Sequence, residues 1–147
     1  MSLMNVFDVA GSGMSAQSVR LNTTSANIAN AESVSSNTEE TYRARHPVFA
    51  AQLESAMQKS PFDFASNQLN AGGGVNVLGV VESDAPLQLR YEPNHPQADA
   101  DGYVSYPNVN IVEEMANMIS ASRAFQNNVD VMNSAKQMMQ HALSLGR

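Results

Sequence analysis

The sequence predicts a mainly α-helical fold with a small β middle domain, in which long N- and C-terminal helices pair as a coiled coil. Three observations carry this expectation. Apolar side chains recur every seven residues near both ends: Phe7, Met14, Leu21 and Ile28, then Ile111, Met118, Phe125, Met132 and Met139. That spacing keeps one helix face turned toward a partner helix. Between the ends, short runs of β-branched or alternating residues are set off by glycine and proline, as strands are. Finally, charged residues make up only 15% of the chain, the balance being Asn, Ser, Gln and Thr. A polar surface with few charges costs little to desolvate, which suits a subunit covered by neighbours.

The first helical segment is expected from about Ser2 to Ala31. Gly11 and Gly13 and the Asn/Ser/Thr-rich stretch from Asn22 to Asn30 weaken its intrinsic helicity. It is therefore expected to fold once packed rather than alone. Its companion heptad positions Leu3, Ala10, Gln17, Thr24 and Ala31 are mostly small or polar, which makes the seam narrow. Glu32 to Thr41 is polar and aperiodic and reads as a loop. Tyr42 to Phe49 should be extended, because Pro47 disfavours helix at the residue before it. Ala50 to Lys59 has helix-forming composition and stops at Pro61. Phe62 to Gly74 is loop-like. Val75 to Val81, Leu87 to Tyr91 and Gly102 to Tyr106 then read as three strands of one small sheet, the first two joined like a hairpin through Ser83 to Pro86.

The last helix should run from about Asn110 to Leu145. Asn110 followed by Glu113 resembles a capping box, Glu113 and Glu114 suit the positive end of the helix dipole, and Gly146 suits the C′ position. Met115 and Val129 join its ladder at companion positions beside Ser122, Lys136 and Leu143. The expected organisation is residues 1–31 and 110–147 as the helical core and 32–109 as the middle domain with its connecting loop.

Charge and composition narrow the function classes. A formal charge of −6 with only eight Lys and Arg, scattered, argues against nucleic acid. With no cysteine there is neither a disulfide framework nor a thiolate site. No apolar stretch reaches the roughly 18 residues of a spanning helix, and no cationic side chain precedes Arg20, so no cleavable secretory signal is expected. If the chain leaves the cytoplasm, another route must read its N-terminus.

No cofactor, metal or catalytic residue is expected. His46, His95 and His141 fall in different elements. Asp99-Ala100-Asp101-Gly102 matches part of a calcium loop but has Asn108 where a bidentate Glu is needed, so a turn leading into a strand fits better. Gly72-Gly73-Gly74 lacks the Lys-Ser/Thr of a phosphate loop. Glu113 and Glu114 could be nominated as the acids of a hydrolase, but their helix-start position accounts for them without catalysis. The methionines of the last helix fit irregular gaps between helices.

Two stretches resemble a known family. Leu21 to Ala31, with its Asn27-Ile28-Ala29-Asn30 core, is similar to the N-terminal signature of bacterial flagellar rod, hook and hook-associated proteins. The block Tyr91-Glu-Pro-Asn-His-Pro-Gln-Ala-Asp-Ala-Asp-Gly-Tyr-Val104, continuing through Pro107-Asn-Val-Asn-Ile-Val-Glu-Glu-Met115, resembles the proximal-rod members more narrowly.

The resemblance implies a structural subunit of the flagellar basal body, exported by the flagellar type III apparatus and polymerised across the periplasm as drive shaft and export conduit. It implies terminal helices packed antiparallel with the middle domain outside. The implied partners are copies of itself, other proximal and distal rod subunits, the rod base and membrane-ring region, and the export apparatus, with no small-molecule substrate. The competing expectations are a cytoplasmic coiled-coil adaptor or secretion chaperone, which would be a discrete dimer, and a small cell-wall hydrolase.

Overall fold

The computed structural model describes residues 3–52 and 73–145. Helix α1 spans Leu3–Ala29; strands β1 (Arg45–Ala51), β2 (Val75–Glu82), β3 (Gln88–Tyr91) and β4 (Tyr103–Tyr106) follow; helix α2 spans Ile111–Leu145. No helix among the described residues is long and apolar enough to cross a membrane. Both helices lie within a residue or two of their expected bounds. Asn110 caps α2 through Oδ1, which accepts the Val112 N–H at 3.1 Å, with Glu113 and Glu114 in the first turn. The expected C′ glycine, Gly146, lies outside the described residues. Thr23 and Thr24 sit inside α1 because each hydroxyl donates to carbonyls of the preceding turn, and those of Thr24 are Arg20 and Leu21 at 3.0 Å.

The strands pair differently from expectation. They form two separate two-stranded sheets, β1 with β2 and β3 with β4, instead of one sheet built on a β2–β3 hairpin. The side chain of Asn108 accounts for this. Its Nδ2 donates to the carbonyls of Ser83 at 3.3 Å and Ala85 at 2.9 Å, so the link between β2 and β3 is held to the segment before α2. The helix expected from Ala50 also fails at its start. Ala50 and Ala51 belong to β1, and the Gln52 N–H continues the ladder to the Gly74 carbonyl at 2.8 Å. Pairing with β2 overrides alanine's intrinsic helical preference here. The rest of that expected helix, from residue 53, lies outside the described residues, as does most of the expected loop up to Gly72.

Packing divides the chain into two units. The first comprises Met1–Ser18, Phe49–Leu78 and Ser122–Arg147. In it Ala10, Ala16 and Ala135 are buried, and a Cβ built on Gly13 would lie 2.9 Å from the Asn128 amide nitrogen, so glycine is what admits that side chain. The Val75 N–H donates to the Ser12 hydroxyl at 3.2 Å.

The second unit comprises Val19–Val48 and Gly79–Ala121. Its apolar centre is small: Ala31, Ala44 and Val109, with Tyr42 packed against them. Strands β3 and β4 run antiparallel, with Tyr91 opposite Tyr103 and Leu89 opposite Ser105. Ser105 also exchanges backbone hydrogen bonds with Ser35, at 3.2 and 3.1 Å. The turn into β4 is the expected Asp-Gly turn. Gly102 has φ +80, donates its N–H to the Asp99 carbonyl at 2.8 Å, and lies where a Cβ would meet the Tyr91 ring at 2.9 Å.

Candidate functional site

The most heavily bonded place in the second unit is built around Asn27, on the last turn of α1. Its side chain is fully buried. Nδ2 donates to the Arg45 carbonyl at 2.8 Å, while Oδ1 accepts the Arg45 N–H at 2.9 Å and the Tyr42 hydroxyl at 2.9 Å. An asparagine amide carries a donor and an acceptor side by side, as a peptide group does. Asn27 therefore occupies the position of one rung of a neighbouring strand against β1.

Asn108 repeats the device from the other side. Its Oδ1 accepts the Ala44 N–H at 2.8 Å while its Nδ2 holds Ser83 and Ala85. The Ser83 N–H returns to the Ala44 carbonyl at 2.8 Å. Two buried or half-buried amides thus fasten the end of α1, the start of β1, the end of β2 and the approach to α2 into one joint. Buried polar groups must find partners, and here two backbone stretches without regular pairing find them in side chains.

Charge and aromatic contacts surround the joint. Arg45 pairs with Glu82 at 2.9 Å, both about half exposed, and its guanidinium lies 5.4 Å from the centre of the Tyr42 ring. Burial pushes the Tyr42 phenol above its ordinary value of 10.0; Arg45 opposes that rise, and Glu114 and Glu82 add to it. Glu114 is 4% exposed, and its Oε2 has no hydrogen-bond partner among the described residues. Beside the joint an open groove of about 480 Å³ is lined by residues including Ser33, Glu39, Tyr42, Arg43 and Glu82.

Of the signature residues, then, Asn27 is buried at the joint. Asn30 donates from its side chain to the Ala26 carbonyl at 2.8 Å, within the last turn. Ile28 is half-buried and Ala29 exposed. The N-terminal ladder residues Phe7, Met14, Leu21 and Ile28 are all half-buried. The deeper row is the small one, with Ala10, Thr24 and Ala31 buried and Gln17 half-buried. On α2 the same holds. Met118, Phe125, Val129, Met132 and Met139 are half-buried and Ile111 and Met115 exposed, whereas Glu114, Ala121 and Ala135 are buried at heptad spacing with Asn128 between them.

Arg20 of α1 donates to Asn117 Oδ1 of α2 at 2.9 Å within the second unit. Glu113 is exposed and Glu114 buried. His46 and His141 are exposed, and His95 accepts the Gln97 N–H at 3.1 Å. Pattern reading missed Tyr42, Arg45 and Asn108 as members of a site. A signal for Asn108 existed, since it stands between Pro107 and Val109, both buried, just before the Asn110 cap.

Comparison with known proteins follows the two ends of this arrangement. A model described as flagella basal body rod protein matches residues 7–35, and one described as flagellar basal body rod FlgEFG protein C-terminal matches residues 100–145. Over its full length the chain is similar to the flagellar basal-body rod protein FlgC of Salmonella typhimurium, at 48% identity over 147 residues covering 100% of both chains. The FlgC of Yersinia enterocolitica is 43% identical, again over 100% of both. That of Borreliella burgdorferi is 40% identical over 99% of this chain and 98% of the relative.

Proposed function

The chain belongs to the FlgC family of flagellar basal-body rod proteins, and from that premise we propose that it is a proximal-rod subunit that polymerises through its two terminal helices. Membership makes it a structural component of the basal-body rod, assembled with other rod components. The finer reading is that residues 1–31 and 110–147 form an antiparallel coiled-coil core and residues 32–109 an outer middle domain. The ladder residues Phe7, Met14, Leu21 and Ile28 and their counterparts on α2 are completed by adjacent subunits. The subunit travels through the flagellar type III apparatus, joins the rod as part of drive shaft and conduit, and transmits torque.

The full-length identity to FlgC carries this reading. The antiparallel pairing has its own support. Gly13, early in α1, lies against Asn128, late in α2, and Arg20 bonds Asn117, contacts of the kind an antiparallel pair would make. Half-buried Phe125 and Leu21 also leave area for a neighbour to cover.

Folding of α1 is coupled to assembly in this reading, since its glycines and threonines disfavour an isolated helix. Phe125→Asp and Leu21→Asp should each be exported but fail to enter rods, abolishing motility in a strain lacking its own proximal subunit. Normal motility of either variant would refute the seam assignment. A dilute monomer whose N-terminal helix melts cooperatively in circular dichroism would refute the coupling.

A further inference from the structure

We propose that the outward face of the β3–β4 hairpin docks on the first turns of α2 in a second copy of this chain, with Tyr91 and Tyr103 against Ile119 and Asp101 against Arg123. The proposal rests on the rod reading above and names a contact within it.

Residues opposite each other in an antiparallel pair share a face, and so do alternate residues of one strand. Leu89, Tyr91 and Tyr103 therefore share one face, and Arg90 and Val104 the other. Val104 is buried and Arg90 lies over the Tyr106 ring at 4.4 Å, so that second face is already occupied. The first is open. Leu89 and Tyr91 are 60% and 65% exposed, and Tyr103 stacks edge-on against Tyr91 at 5.3 Å. Such a rigid aromatic pair beside an aliphatic side chain is the kind of surface that serves as an interface anchor. At its end stand Asp99 and Asp101, both exposed and without an ion pair among the described residues.

Helix α2 carries the complement. Val112, Met115 and Ile119 fall on one stripe by helical spacing and are each at least half exposed. Four residues beyond Ile119, along the same stripe, comes exposed Arg123, which also has no ion pair among the described residues. Both surfaces thus read aliphatic, apolar, charged. The steps agree as well: alternate strand residues lie about 7 Å apart, and four helical residues about 6 Å. Leu89 falls opposite Met115 when Tyr91 meets Ile119, and the carboxylate then reaches the guanidinium. Because the two patches differ, the contact is head-to-tail. Repetition leaves a free patch at each end and gives an open helical series rather than a closed dimer.

The absence of cysteine makes the test clean. The full-length chain carrying both Leu89→Cys and Met115→Cys, oxidised in purified basal bodies, should give a ladder of covalent multimers, while either single variant gives none. A rod that incorporates the double variant normally and shows no ladder overturns the contact and leaves the rod reading standing. Failure of the unsubstituted chain to enter rods would instead remove the rod reading, and this contact with it.

A charge exchange provides the second arm. Asp101→Arg and Arg123→Asp should each cut rod incorporation at least tenfold, and the two together should restore it to within about twofold. A double variant no better than its singles, or singles indistinguishable from the parent chain, would overturn the proposal.

Discussion

The two units hold α1 by opposite means. In the second, a buried amide with three hydrogen bonds ties the helix to β1, and Arg20 bonds Asn117. In the first, the helix is held by closeness: Gly13 makes room for Asn128, and buried Ala10 and Ala16 present almost no side chain. Hydrogen bonds are directional and tolerate no substitute of different chemistry, whereas close approach tolerates any residue small enough. The difference teaches that one helix can be specified by chemistry at one end and by volume at the other.

The largest effect should come from Asn27→Ala. It removes the fully buried amide and leaves the Arg45 N–H and carbonyl and the Tyr42 hydroxyl without their partner, which should cost about 3 kcal/mol. Urea unfolding of the assembled subunit should show the loss, and hydrogen exchange in the assembly should show the Arg45 amide losing protection first. If Asn27→Ala unfolds within about 0.5 kcal/mol of the parent, the joint is not what holds the second unit.

Next comes volume. Gly13→Leu should destabilise by about 2 kcal/mol through overpacking against Asn128, whereas Gly11→Ala, whose Cβ would meet nothing within 4 Å, should stabilise by up to about 1 kcal/mol from helix propensity alone. Equal responses at the two glycines would erase the contrast.

Tyr42 gives a smaller, pH-dependent effect. The folded phenol holds its proton more tightly than the unfolded one, so its contribution is complete below about pH 10 and is lost as pH climbs through the raised native value. Tyr42→Phe should cost about 1 kcal/mol at neutral pH and flatten the alkaline decline attributable to this group in urea midpoints measured from pH 8 to 11. The smallest effect belongs to Glu82→Gln. Its pair with Arg45 is half in solvent, so the loss should stay below about 0.5 kcal/mol and vanish in high salt.

The helices were readable because heptad spacing, the Asn110 cap and the first-turn acids all point the same way. Strand positions were readable too, from β-branched runs and the Asp-Gly turn at Gly102. Strand partners were not. Pairing depends on which backbone meets which, and Asn108 decides that from more than twenty residues away, as its bonds to Ser83 and Ala85 show.

The buried row of each helix was likewise not legible from side-chain size. Large apolar residues stand out in a sequence, yet where backbones approach closely the deepest positions go to Ala10, Thr24, Ala121 and Ala135, with half-buried Leu21 and Phe125 flanking them. Asn27 was legible only as part of a resemblance. Nothing in a lone asparagine near a helix end announces that its amide will stand in for a strand.

That substitution has a consequence for keeping company. A strand with an unpaired edge is a template on which other extended chains can settle, and a protein that must be crowded among its own copies can least tolerate indiscriminate stacking. By filling the Arg45 rung with a side chain, and the Ala44 N–H with Asn108, the chain closes the entrance of β1 to strangers. Asn27 is in that sense a seal on stickiness: it allows the molecule to be dense in association without being promiscuous.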